Sequence, residues 1–391
     1  MKIKHNIMIP ILVGIWLTTI FSLQGCAPKV RPSESVLDTP EHHVHSGMKL
    51  LRLGKYDDAL REFELAKELD PKFSRAYVGS GLVFGKKGDF KQGLEDMKKG
   101  IGLAETKEEK VDANVGLIQL YLLGKESAHK DWLKKAQVAY QSAINLLPGS
   151  SAAHYYMGET YKEALNFEKA SQLFKKVLDI NDGYVVEAND AWKLIQKIQR
   201  AAPGTKIGKK IALVDQITRA DIAALFVQEL KIDDLFAKKT KDFDTSFKSP
   251  EKGFVTERVV KTPTALDIAD HVLKTDIEAV IALGIKGIEP YPDHTFKPDQ
   301  KIARAEYAMM IEDILIRVTG DEKLATKFIG SPSPFPDLRD DLPYYNAVMV
   351  CTTRGIMKAK DLTTGEFDPM GSVSGADALL IIRKLEPLIN R

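Results

Sequence analysis

The first pattern along the chain is an almost wholly apolar run from Ile7 to Phe21 behind a short basic start at Lys2 and Lys4. A run of this length after positive charge predicts a signal-peptide core rather than a full membrane span. Residues 26–41 break the pattern with Pro28, Pro32 and Pro40 among Ser, Glu and Asp, which predicts a polar, partly extended tether. From about residue 42 the spacing becomes helical. Small and large positions then recur at a fixed period: Gly47, Leu50, Gly54, Ala59, Phe63 and Ala66 return as Gly81, Phe84, Gly88, Gly93, Met97 and Gly100. A further copy holds Gly158, Tyr161, Ala170 and Phe174. A looser one between them holds Gly116, Ala136, Tyr140, Ala143 and Pro148, with an insertion around Gly124 to Asp131. The pattern predicts four helix pairs over 40–73, 74–107, 108–150 and 151–184.

The physical roles follow from residue size. Gly47, Ala59 and Ala66 let two antiparallel helices approach, and Leu50 and Phe63 fill the space between them. Gly54-Lys55 makes the turn, and Pro71 ends the second helix because it cannot continue one. One such pair cannot bury its own apolar face, so the pairs must stack. Tyr184 to Arg200 predicts a single terminal helix with Val185, Ala188, Trp192, Ile195 and Ile198 on one face. Ala201-Ala202-Pro203-Gly204 then marks a boundary, giving 42–200 as one region and 205–390 as the next.

The second region repeats a helix–turn–helix pattern. Ala279 to Ile285 is apolar up to Gly284, Tyr291-Pro292-Asp293-His294-Thr295-Phe296-Lys297-Pro298 reads as a tight turn, and a second helix starts near Ala303 with Arg304, Ala305 and Glu306. The pattern returns as Ala347 to Ile356, then Gly365 to Pro369, then Ser374-Gly375-Ala376-Asp377. A half copy precedes it at Ile217-Thr218-Arg219-Ala220-Asp221. The middle copy, 265–318, is the clearest, 333–388 is the third, and the first is degenerate. That first copy lacks a recognisable turn and first helix, with polar, irregular Asp242 to Lys261 instead. Thr218 and Asp221 have capping-box spacing, as do Ser374 and Asp377. A helix N-terminus offers free N–H groups and partial positive charge, and Arg219 and Arg304 in the first turn add a planar fork for a carboxylate. Two roles stay open for each arginine: binding an acidic sugar substituent, or pairing with a neighbouring carboxylate to hold the modules together. Ala303 lacks the capping hydroxyl, and Gly375 stands where the third arginine belongs.

Composition narrows the function classes. The chain has 391 residues, 44% hydrophobic and 28% charged, which fits two or three globular domains. Lys+Arg is 56 against 54 Asp+Glu, too balanced for a nucleic-acid-binding body. Two cysteines, Cys26 and Cys351, exclude a disulfide scaffold and a cysteine-rich zinc site. Cys351 lies in an apolar run and reads as a buried small residue. His42, His43 and His45 have no flanking acidic pair and read as solvated or capping rather than as metal ligands. No Gly-x-Ser-x-Gly, His-Glu-x-x-His or phosphate-cradling loop is present, so no catalytic residue, metal or cofactor is expected.

Three resemblances join these readings. Leu23-Gln24-Gly25-Cys26 at the end of the apolar run resembles the lipobox of bacterial lipoproteins. That resemblance implies removal of residues 1–25 and diacylation of Cys26, and Ala27 after it implies sorting to the periplasmic face of an outer membrane. Buried acyl methylenes, at ~0.8 kcal/mol each, would then hold the chain on a membrane. The recurring small and large positions between Gly47 and Phe174 resemble the tetratricopeptide (TPR) repeat. That implies an α-α superhelix whose concave face holds a peptide or partner protein, with Arg52, Lys86, Tyr155 and Glu159 as candidate groove residues. Residues 205–390 are similar to the S-layer homology (SLH) domain, an α-rich helix–loop–helix module found in threes that binds cell-wall glycan, peptidoglycan or a secondary polymer. The residues it implies for glycan are Arg219, Arg304, Tyr291, Asp293 and Phe296. The family's tryptophan near the start of each module is missing, with Val272 and Tyr344 near those places. The expectation is a mostly α, non-catalytic envelope lipoprotein tethering membrane to wall or scaffolding an envelope complex. The alternative is a periplasmic assembly factor or pilotin-like chaperone whose C-terminal modules are purely structural.

Overall fold

The computed structural model describes residues 30–241 and 265–389. Cys26, the apolar run before it and the stretch 242–264 lie outside the described residues. The described residues divide into two compact units, one up to Ala188 and one from Asn189 onward.

The described part of the first unit is built of antiparallel helix pairs: α1 (Pro40–Arg52) with α2 (Tyr56–Leu69), α3 (Ser74–Lys86) with α4 (Phe90–Leu103), α5 (Lys107–Gly124) with α6 (Trp132–Leu146), and α7 (Ser151–Glu163) with α8 (Phe167–Ile180). Local chemistry sets the helix starts. The Thr39 hydroxyl accepts from the His42 N–H, and Pro40 sits at the first helical position, where no N–H is needed. Thr106 and Glu109 cap α5 reciprocally, and Ser150 and Asn166 cap α7 and α8. The turn within a pair needs a left-handed residue. Gly54 and Gly88 supply it, and at the matching place in the fourth pair Leu165 takes φ +59°. The insertion in the third pair is a short 3₁₀ turn, Lys125–Ser127, on which the Trp132 indole N–H donates to Glu126 at 3.1 Å.

The first unit's core depends on one repeated fit. A Cβ on Gly47 would lie 2.8 Å from the Phe63 ring, one on Gly158 2.7 Å from Phe174, and one on Gly81 3.2 Å from Met97. Phe63, Met97 and Phe174 are fully buried. Each large side chain fills the notch left by a glycine on the partner helix, contributing roughly 1.5–3 kcal/mol by burial. The first helices also pack on one another, α1 on α3, α3 on α5 and α5 on α7, which stacks the pairs into a superhelix.

The second unit contains three helix–loop–helix copies. In the second copy α13 (Lys274–Leu283) precedes α14 (Arg304–Thr319), and in the third α15 (Tyr345–Thr353) precedes α16 (Gly375–Ile389). The first copy differs from the sequence expectation. It has a first helix, and that helix is α9 (Val185–Ala201), read from sequence as the end of the repeats. Helix α9 ends at Ala202 with φ +45°, one loop ahead of Arg219. In the same way α13 ends at Gly284 (φ +60°), one loop ahead of Arg304, and α15 runs to Gly355 (φ +69°), one loop ahead of Gly375. The C-terminal carbonyls of α9 at Ala201 and Ala202 accept from Arg383 of α16 at 2.9 and 3.0 Å, and Lys197 pairs with Asp377 at 3.0 Å. The loop of this copy holds a single short helix, α10 (Lys206–Ile211), before α11 (Arg219–Gln228), and α12 (Ile232–Lys241) follows. The unit boundary thus falls inside α9, ahead of the Ala201–Gly204 breaker.

The three copies close into a ring. The Ile217 N–H donates to Val373 O at 2.9 Å, and the Ile302 N–H to Ile217 O at 3.1 Å. Free N–H groups at each second-helix start are met by the next copy's loop: Arg219 N to Gln300 O, Arg304 N to Gly371 O, Gly375 N to Val214 O, all within 2.9 Å. Ile217, Ile302 and Val373 are buried at the centre, where Phe226 stacks on Tyr307 and the Tyr307 hydroxyl donates to Ala378 O.

Candidate functional site

The first unit carries a groove of about 680 Å³ along its first helices. Its walls are aliphatic at Met48, Leu51, Leu82, Leu122 and Leu123, aromatic at Tyr56, Tyr155, Tyr156 and Tyr184, and charged at Arg52, Lys86 and Glu187. Tyr155 stacks on Tyr184 with ring centroids 4.9 Å apart, and Tyr156 meets both edge-on. Burial pushes the Tyr155 hydroxyl up to about 12 and raises that of Tyr156, so both stay neutral donors. Three of the four residues expected from sequence, Arg52, Lys86 and Tyr155, share this groove. Glu159 is not among its lining side chains, and its carboxylate pairs with Lys162 at 2.6 Å. Sequence reasoning missed Tyr184, which it read only as the junction between the fourth pair and the terminal helix. Of the three histidines expected to be solvated or capping, His42 and His45 are exposed, and His43 departs from that expectation because two carboxylates meet its ring. His43 bridges Asp38 at 2.8 Å and Glu62 at 2.7 Å, while Arg31 grips Asp38 with both terminal nitrogens. This cluster ties residues 31–38 to α1 and α2.

In the second unit the loop of the middle copy is organised by Asp267, whose two oxygens accept from the Phe296 and Lys297 N–H groups at 2.7 Å each. Asp337 does the same for Phe367 and Asp368 in the third copy. Into each loop reaches the first-turn arginine of the preceding copy. Arg219 donates from Nε to Phe296 O at 2.7 Å and from its terminal nitrogens to Gly287 O at 3.1 Å and Glu289 O at 2.7 Å. Its guanidinium lies 4.9 Å from the Tyr291 ring centre and 4.8 Å from that of Phe296. Arg304 repeats the pattern, with Phe367 O and Lys358 O both at 2.8 Å and the Phe367 ring at 4.5 Å. Burial pulls both guanidinium pKa values below the ordinary arginine value.

These contacts correct the sequence expectation for three residues. Arg219 is 4% exposed, Arg304 7% and Phe296 0%, so none presents a face to a sugar. The reason is ring closure: the helix N-terminus is the joint between copies, and the neighbouring loop carbonyls use the arginine fork. Among the described residues neither arginine pairs with a carboxylate, so the partner differs from the structural alternative too. Of the expected glycan residues, Tyr291 is partly exposed and Asp293 exposed. Asp293 accepts from the Thr295 N–H and hydroxyl, which holds the turn. The Tyr291 hydroxyl donates to Gln300, and exposed Lys297 lies 4.3 Å from its ring centre. Cys351 is fully buried and its thiol pKa is raised by that burial, as its apolar run implied. Among the described residues no His, Cys, Asp or Glu cluster fits a metal ion, and no helix is long and apolar enough to cross a membrane.

Residues 267–308 match the family model of the S-layer homology domain. Over 145 residues, 37% of this chain, the sequence is 31% identical to human tetratricopeptide repeat protein 6. Over 120 residues, 30% of this chain, it is 33% identical to cell surface glycoprotein 1 of Acetivibrio thermocellus. The chain spans 26% of the first relative's length and 4% of the second's. Among solved structures, a thermophilic TPR protein of Thermus thermophilus aligns with 52% of this chain and 97% of its own at a TM-score of 0.36 and 20% identity. MamA aligns with 54% and 98% at 0.29 and 17%. The chain is thus mostly α, with tetratricopeptide-type helix pairs followed by an S-layer homology module at residues 267–308.

Proposed function

We propose that this chain is a non-catalytic cell-envelope lipoprotein whose C-terminal modules hold cell-wall glycan and whose helix-pair groove holds a partner polypeptide. The observation that carries the glycan half is the family match at 267–308, which spans the exposed turn bearing Tyr291, Asp293 and Lys297. Within that turn Tyr291 offers a ring edge for a sugar face, and Lys297 offers a cation for an acidic substituent. The protein half rests on the groove that gathers Arg52, Lys86 and Tyr155. Membrane attachment through Cys26, at the periplasmic face of an outer membrane, rests on Leu23-Gln24-Gly25-Cys26 behind the apolar run and on Ala27.

The test is retention of the purified full-length chain on sacculi, with and without hydrofluoric acid extraction of secondary polymers, and of Tyr291→Ser plus Lys297→Ala. Retention by the wild type and its loss in the double variant are expected. Loss on extraction assigns the secondary polymer, and persistence assigns peptidoglycan. No retention on either preparation overturns the glycan half and leaves the second reading, an assembly factor with structural modules, which the burial of Arg219 and Arg304 favours. The intact mass of the mature N-terminus tests acylation of Cys26.

A further inference from the structure

We propose that residues 31–38 form a strap that a protonated His43 fastens to the first helix pair, and that loss of this proton as pH rises lets the strap go.

Geometry sets the charge of the ring. His43, on α1, meets Asp38 of the strap through Nε2 at 2.8 Å and Glu62 of α2 through Nδ1 at 2.7 Å. A neutral imidazole carries one N–H, so it donates to one of these carboxylates and turns a lone pair on the other. Only the imidazolium donates to both. His154 gives the contrast. Its Nε2 meets the Pro148 carbonyl and its Nδ1 the Tyr140 hydroxyl, which can donate, so a neutral ring satisfies both.

The strap depends on that ring because nothing apolar holds it. Pro32 to Leu37 are all exposed, Val36 by 93% and Leu37 by 67%. The polar contacts converge on Asp38. Its carboxylate accepts both terminal nitrogens of Arg31 and the Glu34 N–H, drawing the start and middle of the strap to its end. The bond to His43 links this knot to α1, and the Arg31 N–H, donating to Glu68 O at 2.9 Å, is its hold on α2. Other charges stand farther back. Arg31 is met by Glu34 at 3.4 Å and Glu68 at 3.5 Å, and the His42 ring lies edge-on at 6.0 Å.

The Arg31 fork and His43 hold the Asp38 carboxyl well below the usual carboxylate range, so near neutral pH it is the ring that titrates. Burial lowers the His43 pKa, and the bonds to Asp38 and Glu62 outweigh it, leaving the ring above the ordinary histidine value. Docking is therefore at full strength below about pH 6.5 and is lost as pH rises through the docked ring's own pKa, by about tenfold for each unit between the two. Release adds residues 31–38 to the free chain ahead of α1, about 27 Å at full extension. Where Cys26 is the membrane end, as proposed above, the helix pairs gain that reach.

Two measurements on the full-length protein test this, and neither needs a membrane. Ring 15N shifts, with the His43 signal identified by its loss in His43→Gln, are expected to show an imidazolium that persists above about pH 6.5. Hydrogen-exchange protection over 31–38, corrected for the intrinsic pH dependence of exchange, is expected to fall at least fivefold from about pH 6 to about pH 9 with the ring's midpoint, while 74–103 keeps its protection. His43→Gln should be poorly protected over 31–38 at every pH, and Asp38→Asn should bring the ring's midpoint down. A ring already neutral at about pH 6.5, or protection over 31–38 that stays within twofold while the ring titrates, overturns the proposal.

Discussion

Replacing Arg219 by alanine separates a structural arginine from a ligand-binding one. The substitution removes three donors. Phe296 O lies in the buried part of the loop, so losing the Nε–H bond leaves an unpaired buried carbonyl, costing about 1–3 kcal/mol. Gly287 and Glu289 are nearer solvent, so water can replace the guanidinium at their carbonyls for little cost. Loss of the cation from the Tyr291 and Phe296 rings adds about 1 kcal/mol. The sum is about 2–4 kcal/mol, carried by the joint between the first and second copies. Hydrogen exchange read over 285–303 in the full-length protein reports it locally. At about 3 kcal/mol, exchange of protected amides there should speed by about a hundredfold, while the helix pairs at 40–180 keep their protection. Arg219→Lys should recover only part, because one ammonium cannot serve three carbonyls in divergent directions. The reasoning fails if Arg219→Ala leaves exchange within threefold of wild type while abolishing retention on sacculi, for then the arginine acts on a ligand.

Two further outcomes follow from the second unit. Gly375→Ala would place a Cβ 1.7 Å from Ile211 O, where backbone must move, and would disturb the 2.8 Å bond from Gly375 N to Val214 O. It should lower stability by about 2–4 kcal/mol in thermal unfolding, whereas Gly102→Ala, with open space around its Cβ, should be neutral or slightly stabilising. Burial raises Glu312 to about 7, with Asp313 adding to the rise and the Asn346 amide and Lys286 opposing it. The native state therefore holds a proton that the unfolded chain has released, and stability falls as pH rises from about 4.5 through 7. Glu312→Gln should flatten that fall by up to about 2–3 kcal/mol in urea midpoints measured between pH 5 and 8. Equal slopes for variant and wild type would sink the assignment.

What the sequence made legible was whatever is encoded within one repeat. Gly47 with Phe63, Gly81 with Met97 and Gly158 with Phe174 are each separated by the same offset, so the notch and its filler show themselves when the chain is compared with itself. The groove cations Arg52 and Lys86 were legible for the same reason, since a shared register puts them on one face. The fate of Arg219 was not, because its partner Phe296 lies far along the chain and belongs to another copy. A cation in the first turn of a helix looks the same in sequence whether the N-terminus meets solvent or a neighbour's loop. The first module's own helix was hidden by Ala202, which takes the left-handed position that glycine marks in the other two copies.

The burial of the two arginines has a consequence for where glycan is held. A guanidinium that joins modules through loop carbonyls cannot leave them for a sugar without opening the joint, at about 2–4 kcal/mol. A weak sugar contact, made of a few hydrogen bonds in water, does not repay that. Any glycan the second unit binds is therefore held by groups other than these two guanidinium forks, and the proposed turn is one whose backbone Asp267 and Arg219 fix from within. On that turn Pro292, Asp293, His294 and Lys297 are exposed and Tyr291 is partly exposed. The arginines then act on a ligand only through the rigidity they give this loop, so Arg219→Lys should weaken sacculus retention in proportion to the exchange it permits at 285–303.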